Sequence, residues 1–328
     1  MTQALYFKPS YERLRERITA IAPGLQVVLY DEAGRIWLDG KEVLMADIKP
    51  EYFWVHSDLF ASPLLHEYFR LMLHSTSVKW LHTINTGLDK LPYLELVEKG
   101  VIVTNNHAQA IAIAEFVFGQ VLAWYQNVYD FRAKQQEKLW KSRAFREVHG
   151  SHWLVVGFGE IGQGIAQRAK AFGATVTAVR RKQDTEGLAD KVVAQSQLPE
   201  VLPTADVVIL ACTSNTETRD MCNTRFLKAM KAGSVLVNIA RGDLVVESQL
   251  KTALDGGKPE YAILDVFSHE PPAPDSWVWT HPRVSLTPHT SNAGSGMRAR
   301  SETNFLDNLA RMVANKPLHN RVSRSDIV

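Results

Sequence analysis

The chain has 328 residues, of which 45% are hydrophobic and 22% are charged, and its formal net charge at pH 7 is +2. This composition is ordinary for a globular protein, and the length favours two domains over one. The nearly balanced charge argues against nucleic acid or an anionic membrane surface as a main partner.

Two cysteines, Cys212 and Cys222, are too few for a disulfide scaffold, and the chain has no C-x-x-C motif. This cysteine usage, and the lack of a long apolar run among residues 1–17, predict a cytoplasmic protein. The longest apolar stretch, residues 108–125, is interrupted by Gln and Glu, which favours a buried helix over a membrane span. No His, Cys and Asp cluster has the spacing of metal ligands, so no metal is predicted.

Short apolar segments alternate with helical patterns along residues 1–103, which predicts a small α/β unit with a parallel sheet. Trp54 stands in the third predicted strand, where packing in the core or at the rim is favoured over contact with a substrate. Strands are predicted at residues 5–7, 25–30, 52–55, 78–84 and 101–103, and helices at residues 11–22, 64–73 and 91–99.

Residues 108–136 predict one long helix that is apolar on nearly every face. Such a helix must be covered on every face, either by two layers of its own fold or by a second subunit. Because it precedes the glycine-rich stretch described next, we favour a homodimer interface. The polar residues 131–149 that follow are predicted to form a connection.

A glycine-rich turn follows the apolar run 154–156 and precedes a helical pattern that ends at Gly173. In this strand–turn–helix context, G-x-G-x-x-G is typical of dinucleotide binding. The first glycine allows the tight turn, the second lets the backbone approach a pyrophosphate, and the third lets helix and strand pack closely. The motif comprises Gly157, Phe158, Gly159, Glu160, Ile161 and Gly162.

Basic residues follow the next predicted strand, where an Asp or Glu would select NAD. Arg180, Arg181 and Lys182 stand at this position. Cations attract a 2′-phosphate and leave a free ribose 2′-OH without an acceptor. The sequence therefore predicts NADP(H) in preference to NAD(H), with a solvated basic loop as the alternative.

After these basic residues, the alternation of strands and helices resumes. It predicts a Rossmann-type doubly wound parallel sheet, accompanied by a smaller flavodoxin-like α/β substrate domain. We assign residues 1–101 and 291–328 to the substrate domain and residues 102–290 to the nucleotide domain. Strands are predicted at 207–211, 233–239, 262–267 and 284–286, and helices at 198–202, 225–229, 246–255 and 301–314.

Arg241, Glu270 and His289 follow the ends of three successive predicted strands. Residues just past the carboxyl ends of parallel strands converge on one crevice, at the edge that also carries the glycine turn. A guanidinium can hold a carboxylate and polarise a keto oxygen, a protonated imidazole can deliver a proton, and a carboxylate can orient the imidazole. Beside a dinucleotide, these groups predict hydride transfer to a 2-keto acid.

Four sequence blocks together resemble the D-isomer-specific 2-hydroxyacid dehydrogenase family. Besides the glycine turn, they are N-x-x-R-G at 238–242, D-V-F-S-H-E-P at 265–271 and T-P-H-T-S-N-A-G-S-G-M-R at 287–298. The basic residues after the second strand, and the segment 129–140, are similar to the glyoxylate/hydroxypyruvate reductase branch, which uses NADPH. The resemblance also implies a homodimer formed through the nucleotide domain.

For the catalytic residues, the resemblance implies that Arg241 binds the substrate carboxylate and carbonyl, that Glu270 pairs with His289, and that His289 is the acid/base. For the cofactor, it implies that Asp265 faces the nicotinamide carboxamide and that the backbone of Ala240 contacts this carboxamide.

The same resemblance assigns roles to three further parts of the chain. Cys212 and Thr213 belong to a segment that borders the nicotinamide or substrate, although a small residue buried at the strand end is the favoured role for Cys212. The turn 85–89 is similar to the family's glycine turn for the substrate carboxylate, and Arg298 falls on an arginine near the cleft. The residues of that turn singled out for substrate binding are Thr86, Gly87 and Leu88.

The predicted activity is NADPH-dependent reduction of small 2-keto acids to D-2-hydroxy acids, with His289 as the acid/base. A phosphite-type dehydrogenase on the same scaffold is one alternative; a formate-type enzyme is disfavoured, because such enzymes replace the family's Glu at the position of Glu270. A dinucleotide-sensing, corepressor-like binding protein is an alternative from another class, because one fold serves several functions.

Overall fold

The structure is a computed structural model that describes residues 1–88, 92–180 and 188–327. The chain forms two compact units, the first built from residues 1–108 and 295–328 and the second from residues 109–294. Asp89, at the end of the predicted substrate turn, and the basic residues Arg181 and Lys182 lie outside the described residues.

Strands and helices alternate along most of the chain. In chain order the strands are β1 Gln3–Phe7, β2 Gln26–Tyr30, β3 Ile36–Leu38, β4 Lys41–Val43, β5 Pro50–Val55, β6 Trp80–Thr83, β7 Ile102–Thr104, β8 His152–Val156, β9 Thr175–Val179, β10 Lys191–Val193, β11 Val207–Leu210, β12 Val235–Asn238, β13 Tyr261–Leu264 and β14 Val284–Leu286. The helices are α1 Lys8–Ile21, α2 Ser57–Phe60, α3 Leu65–His74, α4 Tyr93–Glu98, α5 Ala110–Tyr125, α6 Val128–Gln136, α7 Glu160–Ala171, α8 Leu198–Val201, α9 Thr224–Ala229, α10 Glu247–Asp255 and α11 Met297–Val313.

The sheet of the first unit has the strand order β4-β3-β2-β1-β5-β6-β7. Its parallel strands follow the order 2-1-3-4-5 that is typical of flavodoxin-like folds. Strand β3 pairs antiparallel with β2 and with the edge strand β4, which the sequence patterns do not predict. The two-residue turn between β3 and β4, Asp39-Gly40, has positive φ at both positions, as in a type I′ hairpin. The Asp-Gly pair is the sequence pattern that could have predicted this hairpin.

The sheet of the second unit has the order β10-β9-β8-β11-β12-β13-β14, and neighbouring strands are parallel throughout. This is the doubly wound order 3-2-1-4-5-6 with one further strand. The predicted fold class is confirmed. Because these neighbouring strands are parallel, the glycine turn after β8 and the loops after β12 to β14 lie at the same edge of the sheet.

Apolar side chains cover both faces of the second sheet. Along β8, Leu154 and Val156 pack into one core cluster, whereas Trp153 and Val155 pack into the other. The sequence of a strand that is buried on both faces is a continuous apolar run, which explains why these strands can be recognised in the sequence. The apolar layers therefore hold the carboxyl ends of the strands in fixed positions.

Two sequence-based boundaries differ from the structure. The boundary placed at residue 101 would assign β7 to the nucleotide domain, but β7 pairs with β6 in the first sheet. The helix predicted over residues 108–136 is two helices, α5 and α6, because Asn127 adopts a left-handed conformation with φ of 55°. Its amide nitrogen donates to the carbonyl of Ala144 at 2.9 Å, which holds the break.

Among the described residues, the structure contains no helix with the length and apolar character that a bilayer crossing requires.

Candidate active site

The glycine turn after β8 is shaped by close backbone contacts. Gly157 has a φ of 96°, and a β-carbon placed on it would lie 2.5 Å from the carbonyl oxygen of Ala211 and from the amide nitrogen of Cys212. A β-carbon on Gly162 would lie 2.3 Å from the carbonyl oxygen of Gly157. These two glycines are therefore required by the packing of the turn against β11 and of α7 against the turn.

Gly159 differs from its two neighbours in the motif. A β-carbon placed on it would meet no described atom within 4 Å, and its φ of −80° and ψ of −162° suit other residues. Internal packing therefore does not explain a glycine here. Gly159 is the N-cap of α7, whose first N–H groups have no partner within the helix, so the open space suits a phosphate that approaches the backbone.

Arg180 stands directly after β9, at the same edge of the sheet. Its backbone N–H donates to the carbonyl of Val193 at 3.1 Å, which fixes the start of the loop. No acidic side chain occupies this position to accept bonds from a ribose 2′-OH.

The loops after β13 and β14 bring Glu270 and His289 into contact. Nδ1 of His289 lies 2.8 Å from Oε2 of Glu270, and a carboxylate that only accepts places a proton on Nδ1. The other carboxylate oxygen accepts the backbone N–H of Phe267 at 3.0 Å. The side chains of His289 and Glu270 are 42% and 33% exposed, so a small molecule can reach the pair.

Arg241 follows β12 and is placed by Asn238, the last residue of that strand. The Asn238 amide donates to the carbonyl of Arg241 at 2.9 Å and accepts the N–H of Ala240 at 3.1 Å. The Arg241 guanidinium in turn donates to the carbonyl of Ala240 at 2.7 Å. The sequence analysis does not name Asn238 as a site residue. The pattern that could have identified it is a polar residue at the end of a buried strand.

Gly242 allows the loops after β12 and β13 to touch. A β-carbon on Gly242 would lie 1.8 Å from the carbonyl carbon of Phe267 and 2.2 Å from the N of Ser268. Because Arg241 precedes this contact and Glu270 follows it closely, the glycine sets the spacing between the two loops.

Asp265 follows β13 and is fully buried. Its carboxylate accepts hydrogen bonds from Thr287, Thr290 and Ser291, all in the loop that carries His289. The predicted contact of Asp265 with a nicotinamide carboxamide stays a prediction. The structure shows in addition that the carboxylate binds the loop that carries His289. The sequence patterns do not single out Thr287, whose hydroxyl is one of these donors.

The remaining cofactor candidates divide into buried and exposed residues. Phe158 is buried in the core, Ile161 packs against that core, and Glu160 is exposed at the start of α7. Cys212 is half-buried, and desolvation raises the pKa of its thiol to about 11, which keeps it protonated at neutral pH. Thr213 is exposed beside it.

In the first unit, the candidate substrate turn is tied to the segment before α5. The hydroxyl of Thr86 donates to the carbonyl of Asn106 at 2.9 Å, and Leu88 is buried in the core. Arg298 reaches Asp58, with Nη2 lying 3.3 Å from Oδ1. The substrate roles of Thr86, Gly87, Leu88 and Arg298 stay predictions.

Trp54 is a core residue, which supports the packing role that the sequence favours over contact with a substrate. The side chain is 1% exposed, and its ring stacks on that of Phe305 at 3.9 Å with an interplanar angle of 2°. His56, which follows the strand, is fully buried beside Asp58, and desolvation lowers its pKa to about 4. His56 is therefore neutral at pH 7.

Within residues 1–88, 92–180 and 188–327, no group of three or more His, Cys, Asp or Glu side chains is arranged to hold a metal ion.

The sheet order and the glycine turn define a class of fold: a doubly wound α/β domain of the kind that binds dinucleotides, here with a His–Glu pair at the same edge of the sheet. Within this class, the chain belongs to the D-isomer specific 2-hydroxyacid dehydrogenase family. The family model of the NAD binding domain matches residues 118–291, more than half of the chain. The resemblance read from the sequence blocks is thereby confirmed.

Curated relatives carry two activities in their names. D-3-phosphoglycerate dehydrogenase of Bacillus subtilis (strain 168) is 34% identical over 218 residues, which are 65% of this chain and 41% of that protein. Glyoxylate/hydroxypyruvate reductase A of Salmonella choleraesuis (strain SC-B67) is 28% identical over 225 residues, which are 66% of this chain and 72% of that protein. The match therefore spans less than half the length of the phosphoglycerate dehydrogenase.

A solved structure is similar over nearly the whole chain. It is a D-isomer specific 2-hydroxyacid dehydrogenase family protein from Aeromonas salmonicida subsp. salmonicida A449, with a TM-score of 0.78 and 25% identity. The similarity covers 98% of this chain and 99% of that chain.

Proposed function

We propose that the protein reduces small 2-keto acids of the glyoxylate or hydroxypyruvate type to D-2-hydroxy acids, with NADPH as the preferred cofactor. The observation that carries this proposal is the Glu270–His289 pair, which lies at the sheet edge that also holds Arg241 and the glycine turn. The name of the Salmonella relative supports the substrate class.

Each side chain has a distinct role in the proposed reaction. A bound nicotinamide would supply the hydride, and the backbone of the glycine turn would hold its pyrophosphate. His289, oriented by Glu270, would donate a proton from Nε2 to the nascent alkoxide. Arg241 would hold the carboxylate and counter the charge that develops on the keto oxygen, where electrostatic stabilisation has its largest effect.

The deciding experiment measures initial rates on a panel of keto acids with NADPH and with NADH. The panel contains glyoxylate, hydroxypyruvate, pyruvate and 3-phosphohydroxypyruvate, the 2-keto acid that corresponds to 3-phosphoglycerate. A parallel series of assays tests the oxidation of phosphite with NADP. We expect the highest kcat/KM for a small unphosphorylated keto acid. Turnover of phosphite alone would favour the phosphite-type alternative, and cofactor binding without any turnover would favour the corepressor-like one.

The cofactor preference rests on Arg180, with Arg181 and Lys182 outside the described residues. In Arg180→Asp, we expect the dissociation constant of NADPH to rise about tenfold or more while that of NADH changes little, because a charge-assisted bond to the 2′-phosphate is lost. Fluorescence titration measures both constants. The control is Arg225→Asp, an exposed residue of α9. Tighter binding of NADH than of NADPH by the wild type would contradict the preference.

The open space at Gly159 gives a second test of the cofactor site. In Gly159→Ala, we expect the Tm to stay near that of the wild type while the dissociation constant of NADPH rises about tenfold or more, since a hydrogen bond to a charged group contributes about 1.5–3 kcal/mol. Gly162→Ala is the contrast, because its β-carbon would meet backbone at 2.3 Å and should lower the Tm. Unchanged NADPH affinity in Gly159→Ala would remove the support that this glycine lends to the site.

The predicted homodimer through the nucleotide domain is part of the same proposal. Helices α5 and α6 and the segment after them expose large apolar side chains that a second copy of the chain would cover. These are Ile111, Val128, Tyr129, Phe131, Leu139, Trp140 and Phe145. We expect sedimentation velocity to give twice the monomer mass at micromolar concentration, and a monomer under those conditions would contradict this interface.

A further inference from the structure

The carboxylate of Asp265 is buried yet fully engaged in hydrogen bonds. Oδ1 accepts the hydroxyl of Thr287 at 2.6 Å and the backbone N–H of Thr290 at 2.9 Å. Oδ2 accepts the backbone N–H of Ser291 at 3.0 Å. Asp265 itself is fully buried, so these donors replace the water that a charged carboxylate would otherwise bind.

The backbone of Asp265 holds the same loop from the other side. Its carbonyl accepts the N–H of His289 at 2.9 Å, and its own N–H donates to the carbonyl of Asn238 at 3.0 Å. Asp265 therefore connects the end of β12 to the loop after β14. Besides His289 itself, the residues it holds lie two positions before His289, at Thr287, and one and two positions after it, at Thr290 and Ser291.

His289 has a φ of 49°, in the left-handed region that residues other than glycine seldom adopt. Such a conformation persists only where the surrounding structure imposes it. Here the bonds to Asp265 flank the residue on both sides, at Thr287 and at Thr290. The imposed backbone turns the imidazole so that Nδ1 meets Glu270 at 2.8 Å.

We propose that Asp265 is a positioning residue, which holds the loop 287–291 in the conformation that aligns His289 with Glu270. This inference rests on the proposed role of His289 as the acid/base, and it assigns Asp265 a function other than the predicted contact with the nicotinamide. Two acceptor oxygens are essential to it, because an amide in the same place would turn an N–H group toward a hydroxyl or backbone donor.

The test compares Asp265→Asn with the matched control Asp31→Asn. Asp31 is also buried and also accepts backbone N–H groups of its loop, those of Ala33 and Arg35, but it belongs to the first unit. We expect Asp265→Asn to lower the single-turnover rate of hydride transfer by about 100-fold at saturating NADPH, the loss that misplacement of a catalytic group by about 1 Å can produce. Asp31→Asn should retain the wild-type rate.

The dissociation constant of NADPH separates the positioning role from a cofactor contact. A positioning role leaves this constant within about threefold of the wild type, which corresponds to less than 1 kcal/mol. A tenfold weaker affinity with an unchanged rate at saturation would overturn the proposal in favour of the nicotinamide contact. Thr287→Val, which removes one donor and keeps the carboxylate, should lower the rate by a smaller factor and serves if Asp265→Asn fails to fold.

A measurement independent of turnover distinguishes failure of this inference from failure of the proposed function. In the wild type, we expect ¹⁵N-histidine NMR to show a hydrogen-bonded Nδ1 proton for His289, assigned by its loss in His289→Gln. This signal should shift or vanish in Asp265→Asn and persist in Asp31→Asn. An unchanged signal in Asp265→Asn would overturn the positioning role, whether or not the wild type reduces keto acids.

Discussion

Replacing His289 with Ala is expected to lower kcat about 10³-fold, within the range of 10²–10⁴ that general acid–base catalysis contributes. The loss corresponds to about 4 kcal/mol of transition-state stabilisation. The side chain is 42% exposed and contacts Glu270, so its removal leaves no buried cavity, and the Tm should change little. Steady-state rates with the best keto acid of the panel measure the effect, and fluorescence titration checks that NADPH still binds.

The matched control for this substitution is His269→Ala. His269 is next to Glu270 in the chain and is exposed, with its Nδ1 3.4 Å from the hydroxyl of Ser268. It should retain wild-type kcat, because it is not hydrogen-bonded to Glu270 or His289. Turnover near the wild-type level in His289→Ala would contradict the proposed proton transfer from His289.

Gly242→Ala is expected to be the most destabilising of the substitutions considered. Its β-carbon would lie 1.8 Å from a backbone carbon of Phe267, so the loops after β12 and β13 must separate. Overpacking typically costs about 1–3 kcal/mol, and a clash with backbone lies at the upper end. Since each kcal/mol lowers the Tm by about 2–4 °C in a unit of this size, we expect a decrease of about 6–12 °C.

The separation of these loops should also impair catalysis. Arg241 and Glu270 stand on opposite sides of the contact, so kcat/KM should fall by more than the loss of folded protein explains. Gly24→Ala is the control, because a β-carbon there meets no atom within 4 Å and its φ is not positive. A Gly242→Ala protein with the Tm and kcat/KM of the wild type would show that the contact tolerates a side chain.

Much of the fold was predictable because of how the strands are buried. Strands covered on both faces are continuous apolar runs, and the strand predicted at 207–211 is observed as β11, whose four residues are all buried. The alternation with helices then implies a parallel sheet, and the carboxyl ends of its strands share one edge. Placing the glycine turn and the three polar residues at that edge required no knowledge of side-chain contacts.

The elements that the sequence patterns missed are short or interrupted. β3 and β4 form an edge hairpin and β10 is an edge strand, each of three residues, too short for a recognisable hydrophobic period. The break between α5 and α6 occurs at Asn127, which can adopt a left-handed conformation but does not have to. Whether it does so depends on a partner seventeen residues away in the chain, the carbonyl of Ala144.

Local spacing in the chain was enough to predict the dinucleotide fold, the glycine turn and the succession of Arg241, Glu270 and His289 at strand ends. The stacking of Trp54 on Phe305 in the core, and the hydrogen bonds of Asp265 to the loop around His289, could be seen only in the folded structure. These contacts join residues that are far apart in the chain, and a hydrogen-bond donor or an aromatic ring does not reveal its partner until the strands are packed.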